Sequence, residues 1–346
     1  MTNDQFPVPP GYWQREASHN PRPLTPLGSS LFIGGANQAF RKVFADFGLL
    51  LETLEFREIR GYVYTSVKPF GVAGGGRGRT PPKPLLWLAL RLHPAFRRRI
   101  ATCKKALRGR LDRALIERWY SEWRPRLVAD MARLRAIDLA ALSDAQLAAH
   151  FEALRRWFNG ACDVHFYLSG ANGFPLARLA FFCRDHLGYD DLRTLAFTSG
   201  LSGASSAPAI ALAQLADRLR ADDALRVALL EAKPADVAAI IGRSGGDAAA
   251  AFRSYLDEYG YRALRYEVVE PTLGEEPQSV GQLLLDQLRH AFDVQAEQEV
   301  LTRAREQAKS AALASLPDES RRAQFLELLA DAERAYPVRE DNEFYT

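Results

Sequence analysis

Apolar positions recur at helical spacing along most of this chain. Phe40, Val43, Phe44, Phe47, Leu50, Leu51 and Leu54 follow one another mostly three or four residues apart and predict a helix from Asn37 to Leu54. The period then shortens. Phe56, Ile59, Tyr62, Tyr64 and Val67, with Gly61 among them, predict a small β-hairpin near residues 54–69. From Lys83 to His186 the helical spacing returns. One segment carries Leu85, Leu86, Leu88, Ala89 and Leu92 up to Pro94, and a second runs from Ala95 to Ile137 with an interruption expected at Pro125. A third opens at Ser143, where the hydroxyl and Gln146 form a capping box, and continues through His165 and Phe166 to a break between Gly170 and Pro175. Leu176 to His186 follows as a further helix.

Downstream, helices are expected over Ala209–Leu219, Ala224–Leu230, Asp236–Ile241, Ala248–Tyr259, Ser279–Phe292, Ala296–Leu316 and Asp318–Tyr336. Gly260 is expected to end its helix in the left-handed conformation. Arg265 to Val269 reads as a short extended piece. No alternation of strand and helix calls for a doubly wound sheet, and no fixed repeat is visible. The fold class is mainly α: a multi-helix domain with a small β-hairpin. Two domains are expected. Residues 1–82 hold an N-terminal proline-rich ribbon, a helix, the hairpin and a glycine-rich loop; residues 83–346 form a helical domain truncated at its C-terminus.

The ribbon is Asn20-Pro21-Arg22-Pro23-Leu24-Thr25-Pro26. Each proline fixes its own φ and pushes the preceding residue out of helical space, so the stretch is stiff and extended. Its carbonyls lack internal partners, and Trp13, Glu16 and His19 stand just ahead of it. Such a ribbon suits the wall of a cleft.

Composition changes little: 47% of the 346 residues are hydrophobic and 25% charged, as in ordinary globular chains. No apolar run reaches the length of a membrane span, and the first residues lack the order of a signal peptide. Cys103, Cys162 and Cys183 have no metal-ligand spacing and read as free thiols of a reducing cytoplasm; no metal site is expected. The net charge of +3 conceals a basic segment, in which Arg91 to Arg126 hold twelve Lys or Arg against Asp112, Glu117 and Glu122. A solvated arginine-rich helix face explains it, and nucleic acid is disfavoured because no zinc-finger, RRM or helix-turn-helix signature accompanies it. The loop Gly74-Gly75-Gly76-Arg77-Gly78-Arg79 lacks the Gly-Lys-Ser/Thr of a phosphate-binding loop, and Ser199–Ser206 lacks a GxSxG elbow.

Four stretches carry a family resemblance in consistent order. They are Trp13 to Leu27 with its Pro-Arg-Pro-Leu-Thr-Pro run, Arg60-Gly61-Tyr62-Val63-Tyr64-Thr65-Ser66-Val67, Tyr259-Gly260-Tyr261-Arg262 with Glu267, and Val338-Arg339-Glu340-Asp341-Asn342-Glu343-Phe344-Tyr345. Together they resemble the central substrate-binding region of rifampicin phosphotransferase and phosphoenolpyruvate synthase-like proteins, a phosphoenolpyruvate-utilising family. The resemblance implies a helical part that binds the acceptor, one of three parts. The others are an ATP- and Mg-using domain that phosphorylates a histidine, and a swivelling domain that carries it. None of the six histidines here sits in a carrier-like loop. The chain is therefore expected to bind no cofactor, to hold no catalytic residue of its own, and to be a fragment or split subunit that is inactive alone. Its expected partners are a hydrophobic small-molecule acceptor and the phosphohistidine domain.

The resemblance implies a substrate- and phosphate-facing set of His19, Arg22, Arg262, Glu267 and Arg339, with a pocket of Trp13, Phe40, Phe44 and Phe166. Plainer roles stand beside these. His19 can cap a helix, Arg262 can bond the last carbonyls of a helix, and Arg339 can pair with Glu340 or Glu343 at the surface. Tyr261 stands where the family motif commonly has His, which weakens a proton-transfer role there. The alternative function is a non-catalytic helical interaction protein that docks a partner or anionic surface through residues 91–126.

Overall fold

Thr25 opens the first helix. Its hydroxyl accepts from the Gly28 amide at 3.1 Å and Pro26 takes the first helical position, where a missing N–H costs nothing. The computed structural model describes residues 12–17, 20–71, 83–201, 203–263, 269–290 and 293–345; at 83, 85, 86, 89, 90, 205, 339, 340 and 342–345 only the backbone is described. Along the chain run β1 (Gln14–Arg15), α1 (Pro26–Asp46), β2 (Leu51–Ile59), β3 (Tyr62–Pro69), α2 (Lys83–Leu92), α3 (Pro94–Arg108), α4 (Leu111–Arg118) and α5 (Arg124–Arg135). Then come α6 (Asp144–Ala171), α7 (Gly173–Leu187), α8 (Asp191–Leu195), α9 (Ala207–Arg220), α10 (Asp223–Leu230), α11 (Val237–Ser244) and α12 (Gly246–Tyr259). The last are α13 (Pro277–Arg289), α14 (Val294–Ser315) and α15 (Glu319–Tyr345). The fold is mainly α with a small antiparallel sheet, as the periodicity indicates. Residues 1–194 with 316–346 form one unit and residues 195–315 a second. The expected boundary after residue 82 falls at the end of 72–82, which, like the glycine-rich loop, lies outside the described residues.

In the first unit α1 begins eleven residues before the expected Asn37 and stops before Leu50. Gly48, at φ +62°, supplies the left-handed residue of a Schellman end: its amide reaches the Ala45 carbonyl at 3.1 Å and the Leu49 amide reaches Phe44 at 2.9 Å. Leu51 and Leu54 therefore continue as strand. Arg60 and Gly61, at φ +57° and +81°, make a two-residue turn of type I′ geometry between β2 and β3. The short β1 adds to the other side of β3, giving the order β1-β3-β2. The outer edge of β2 is closed by a side chain. Asn37 Nδ2 donates to the Phe56 carbonyl at 3.0 Å and Asn37 Oδ1 accepts from the Phe56 amide at 2.6 Å, so α1 locks onto the sheet.

Between α4 and α5 the helix does not break at Pro125. One π turn, Trp119–Trp123, inserts a residue, and Pro125 falls in the first turn of α5. That insertion returns Trp119 and Leu127, both buried, to the same side. Trp119, Ile116, Leu168, Phe47, Val43 and Val338 belong to one core cluster, and Phe56, Val63, Cys162 and Phe166 to a second. The helix expected to end at Tyr336 continues through Pro337 to Tyr345. Proline there removes one backbone bond, but buried Ala335 and Val338 hold both sides of it in the core.

The second unit packs α9–α13 around Leu212, Leu215, Leu219, Leu229, Val237, Ile241, Leu284 and Leu285, all buried. Gly281 lets α13 cross the turn at Pro234, whose carbonyl would meet any Cβ. Gly260 corrects an expectation: its φ of −66° is right-handed. A Cβ there would meet the Leu256 carbonyl of its own helix, and its own carbonyl accepts from the Gly274 amide at 2.7 Å. Of the expected extended piece Arg265–Val269, residues 265–268 lie outside the described residues and Val269 stands in a turn, while Ala263 and Thr272 on either side form an isolated antiparallel bridge.

Candidate functional site

The ribbon is tied to the hairpin by its backbone. The Glu16 amide donates to the Val63 carbonyl at 2.9 Å and the Leu24 amide to Gly61 at 2.7 Å. Glu16 Oε2 accepts from the Asn20 amide at 3.2 Å and from Asn20 Nδ2 at 3.0 Å, which fixes buried Asn20. Trp13 is half-buried, with the Arg57 guanidinium 5.4 Å from its ring centre. Arg22 is exposed. His19 lies outside the described residues.

Phe40, Phe44 and Phe166 come together. Phe40 lies 5.7 Å from Phe44, 5.1 Å from Phe166 and 5.7 Å from Phe56, with Phe32 a further 5.9 Å from Phe166. Rings on α1 and α6 thus meet over the sheet in direct contact. Phe32, Phe40 and Phe44 remain half-buried, so the aromatic wall keeps an accessible edge.

A second constellation in the same unit escaped the sequence reading. Asp112 on α4 and Asp331 on α15 are buried, at 1% and 7% exposure. A buried carboxylate is costly unless paired, and arginines answer both. Arg178 on α7 donates to Asp112 Oδ2 at 2.5 Å and lies 3.7 Å from Asp331; Arg113 lies 3.6 Å from Asp331, and Arg110 bonds both Asp331 and Glu327. Beside this network, Arg113, Ile116, Glu117, Pro175, Ala330, Asp331 and Arg334 line a cavity of about 200 Å³. Arg334 holds both Glu117 oxygens at 3.1 and 3.2 Å, keeping that carboxyl below its ordinary range, and stacks 3.6 Å over Tyr120. Every charge in the wall has a counter-charge in the wall, so this cavity offers a phosphoryl group no uncompensated cation. The legible signal was position. Asp112 starts the i, i+3, i+4, i+7 stripe of Leu115, Ile116 and Trp119, and Asp331 interrupts the stripe of Leu328, Leu329, Ala332 and Ala335.

Arg339 rides on α15, and its side chain lies outside what is described. Its neighbour Asp341 is buried and faces Arg124 at 3.6 Å. Arg262 belongs to the second unit, where it is half-buried; its amide donates to Tyr259 at 3.2 Å and its carbonyl accepts from Leu273 at 2.8 Å. Glu267 lies outside the described residues. Among the described residues no group of three potential metal ligands occurs, and Asp112 and Asp331 are held by guanidinium groups.

Residues 165–340, just over half of the chain, match the family model of the rifampicin phosphotransferase fourth domain. The chain belongs to that family. The match takes in Phe166, Arg178, Arg262, Glu267, Asp331 and Arg339, while Trp13, His19, Arg22, Phe40 and Phe44 precede it. Comparison with the curated proteins gives no match. No helix among the described residues is long and apolar enough to cross a membrane.

Proposed function

We propose that this chain is the acceptor-holding part of a phosphotransferase of the rifampicin phosphotransferase and phosphoenolpyruvate synthase type. The family match over 165–340 carries the reading. The aromatic edge of Phe40, Phe44 and Phe166, with Trp13 of the ribbon, supports an apolar acceptor bearing a hydroxyl group. In this reading the phosphoryl group arrives on a histidine of a swivelling module that ATP and Mg have charged elsewhere. The N–P bond to the carrier breaks, the acceptor oxygen forms the P–O bond, and the hydroxyl proton ends on the released imidazole. The chain contributes position and charge. His19, Arg22 and Arg339 are the proposed phosphoryl-facing residues of the first unit. Arg262 and Glu267 are the proposed anion- and hydroxyl-binding residues of the second.

Reconstitution tests it. The chain alone with Mg-ATP is expected to consume no nucleotide and to acquire no phosphohistidine. Added to a phosphorylated carrier domain from rifampicin phosphotransferase, it is expected to support transfer to rifampicin, and Arg339→Ala to slow that transfer at least tenfold. ATP hydrolysis by the chain alone would refute the reading.

A further inference from the structure

The basic segment does not act as one patch. From Arg110 onward its guanidinium groups face carboxylates: Arg110 and Arg113 meet Asp331, Arg118 meets Glu122, Arg124 meets Asp341 and Arg126 meets Asp130. On α3 the picture differs. Arg97, Arg98, Lys104, Lys105 and Arg108 are all exposed, and at 3.6 residues per turn they fall within an arc of about 120°. The opposite side of α3 turns inward, where Ala106 is buried and Arg99 donates to the Phe44 carbonyl at 2.8 Å.

Next to this stripe stands α2, whose main packing partner among the described elements is α3. Among its described side chains, Pro84, Trp87, Leu88, Arg91 and Leu92 are exposed and fall within an arc of about 140°. Trp87, Leu88 and Leu92 are 54%, 46% and 66% exposed, and Arg91 lies over the Trp87 ring at 4.0 Å. One residue, His93, joins the two helices; its Nδ1 accepts from the Ala95 amide and starts α3. A helix with exposed apolar side chains and a helix with a cationic stripe are thereby kept adjacent.

We infer that α2 and α3 dock the protein on an anionic lipid surface. Trp87, Leu88 and Leu92 enter the boundary between headgroups and acyl chains, and the α3 stripe pairs with lipid phosphates. A helix of ten residues spans about 15 Å, half of a bilayer core, so α2 lies in the surface and does not cross it. Nucleic acid would answer the cations but leave the leucines in water. A purely apolar protein groove would answer the leucines but not five clustered cations. Lipid answers both, and the inference is independent of the acceptor reading.

The test uses the whole chain and vesicle flotation. Vesicles of phosphatidylcholine with about 30% phosphatidylserine are expected to carry the protein, and phosphatidylcholine alone to leave it behind. About 0.5 M salt should release it. Reversal of charge at Arg97, Arg98, Lys104 and Lys105 together, and separately Trp87→Ser with Leu92→Ser, should each weaken binding about tenfold or more with an unchanged circular dichroism spectrum. The wild-type salt series keeps the test decisive if a variant misfolds. Equal flotation on neutral vesicles, no flotation at low salt, or binding to a DNA duplex without binding to vesicles would each overturn the inference.

Discussion

Arg178 Nη2 sits 2.5 Å from Asp112 Oδ2 and joins α7 to α4 through a carboxylate with 1% exposure. The pair shows how this helical unit handles charge in its interior: an aspartate takes a core position on one helix and an arginine reaches it from another. Asp112→Ala leaves Arg178 with only the more distant Asp331, 3.7 Å away, and is expected to cost about 3 kcal/mol, read as a lower urea midpoint. Replacing both, with Asp112→Leu and Arg178→Met, should cost clearly less than the single change. A double variant as unstable as Asp112→Ala would show that the ion pair itself, and not the stranded charge, sets the loss.

Asn37 serves the sheet in a comparable way, with both ends of its amide on Phe56. Asn37→Ala leaves the Phe56 N–H and C=O without partners and should destabilise by about 1–3 kcal/mol. Hydrogen exchange at the Phe56 amide should speed up well beyond that at Phe47, which is bonded within the helix end.

Gly48→Ala should be worse than an ordinary glycine replacement. Besides the positive φ, the new Cβ would meet the Arg99 carbonyl and the Cys103 amide of α3. A loss of about 2 kcal/mol or more is expected from chemical denaturation. A neutral result would mean that the α1 end and α3 move apart freely.

Much of this organisation is written in the sequence, and the misses have physical causes. The hairpin near residue 60, the Ser143–Gln146 capping box and the break at Pro94 follow from local chemistry, and the structure has all three. Leu50, Leu51 and Leu54 kept the helical period past the true end of α1, because Gly48 and not hydrophobic spacing stops that helix. Pro337 reads as a terminator, yet burial of Ala335 and Val338 holds the helix through it. Of the candidate site, the adjacency of Phe40, Phe44 and Phe166 has a counterpart in the fold. The Asp112–Arg178–Asp331 network does not show in any single stretch, since its members stand 66 or more residues apart.

Cysteine chemistry gives a pH-dependent expectation. Burial pushes the Cys162 thiol up to about 12 and Cys183 to about 11, whereas Cys103 is half-buried. At pH 8 the folded protein should therefore expose one readily modified thiol to a disulfide reagent, and three after denaturation. Because both folded-state values exceed the ordinary 9.0, the unfolded chain loses these protons first. Stability should be unaffected by these thiols below pH 9 and should fall from there toward pH 11–12. Rapid reaction of all three thiols in the native protein would contradict the packing around Cys162 and Cys183.

Equilibrium dialysis of rifampicin against the folded chain, without nucleotide, bears most directly on the proposed acceptor-holding role. The expected result is saturable one-to-one binding tighter than about 1 mM, corresponding to more than about 4 kcal/mol. Failure of rifampicin and of other hydroxylated apolar compounds to bind a chain that is folded by circular dichroism would contradict it.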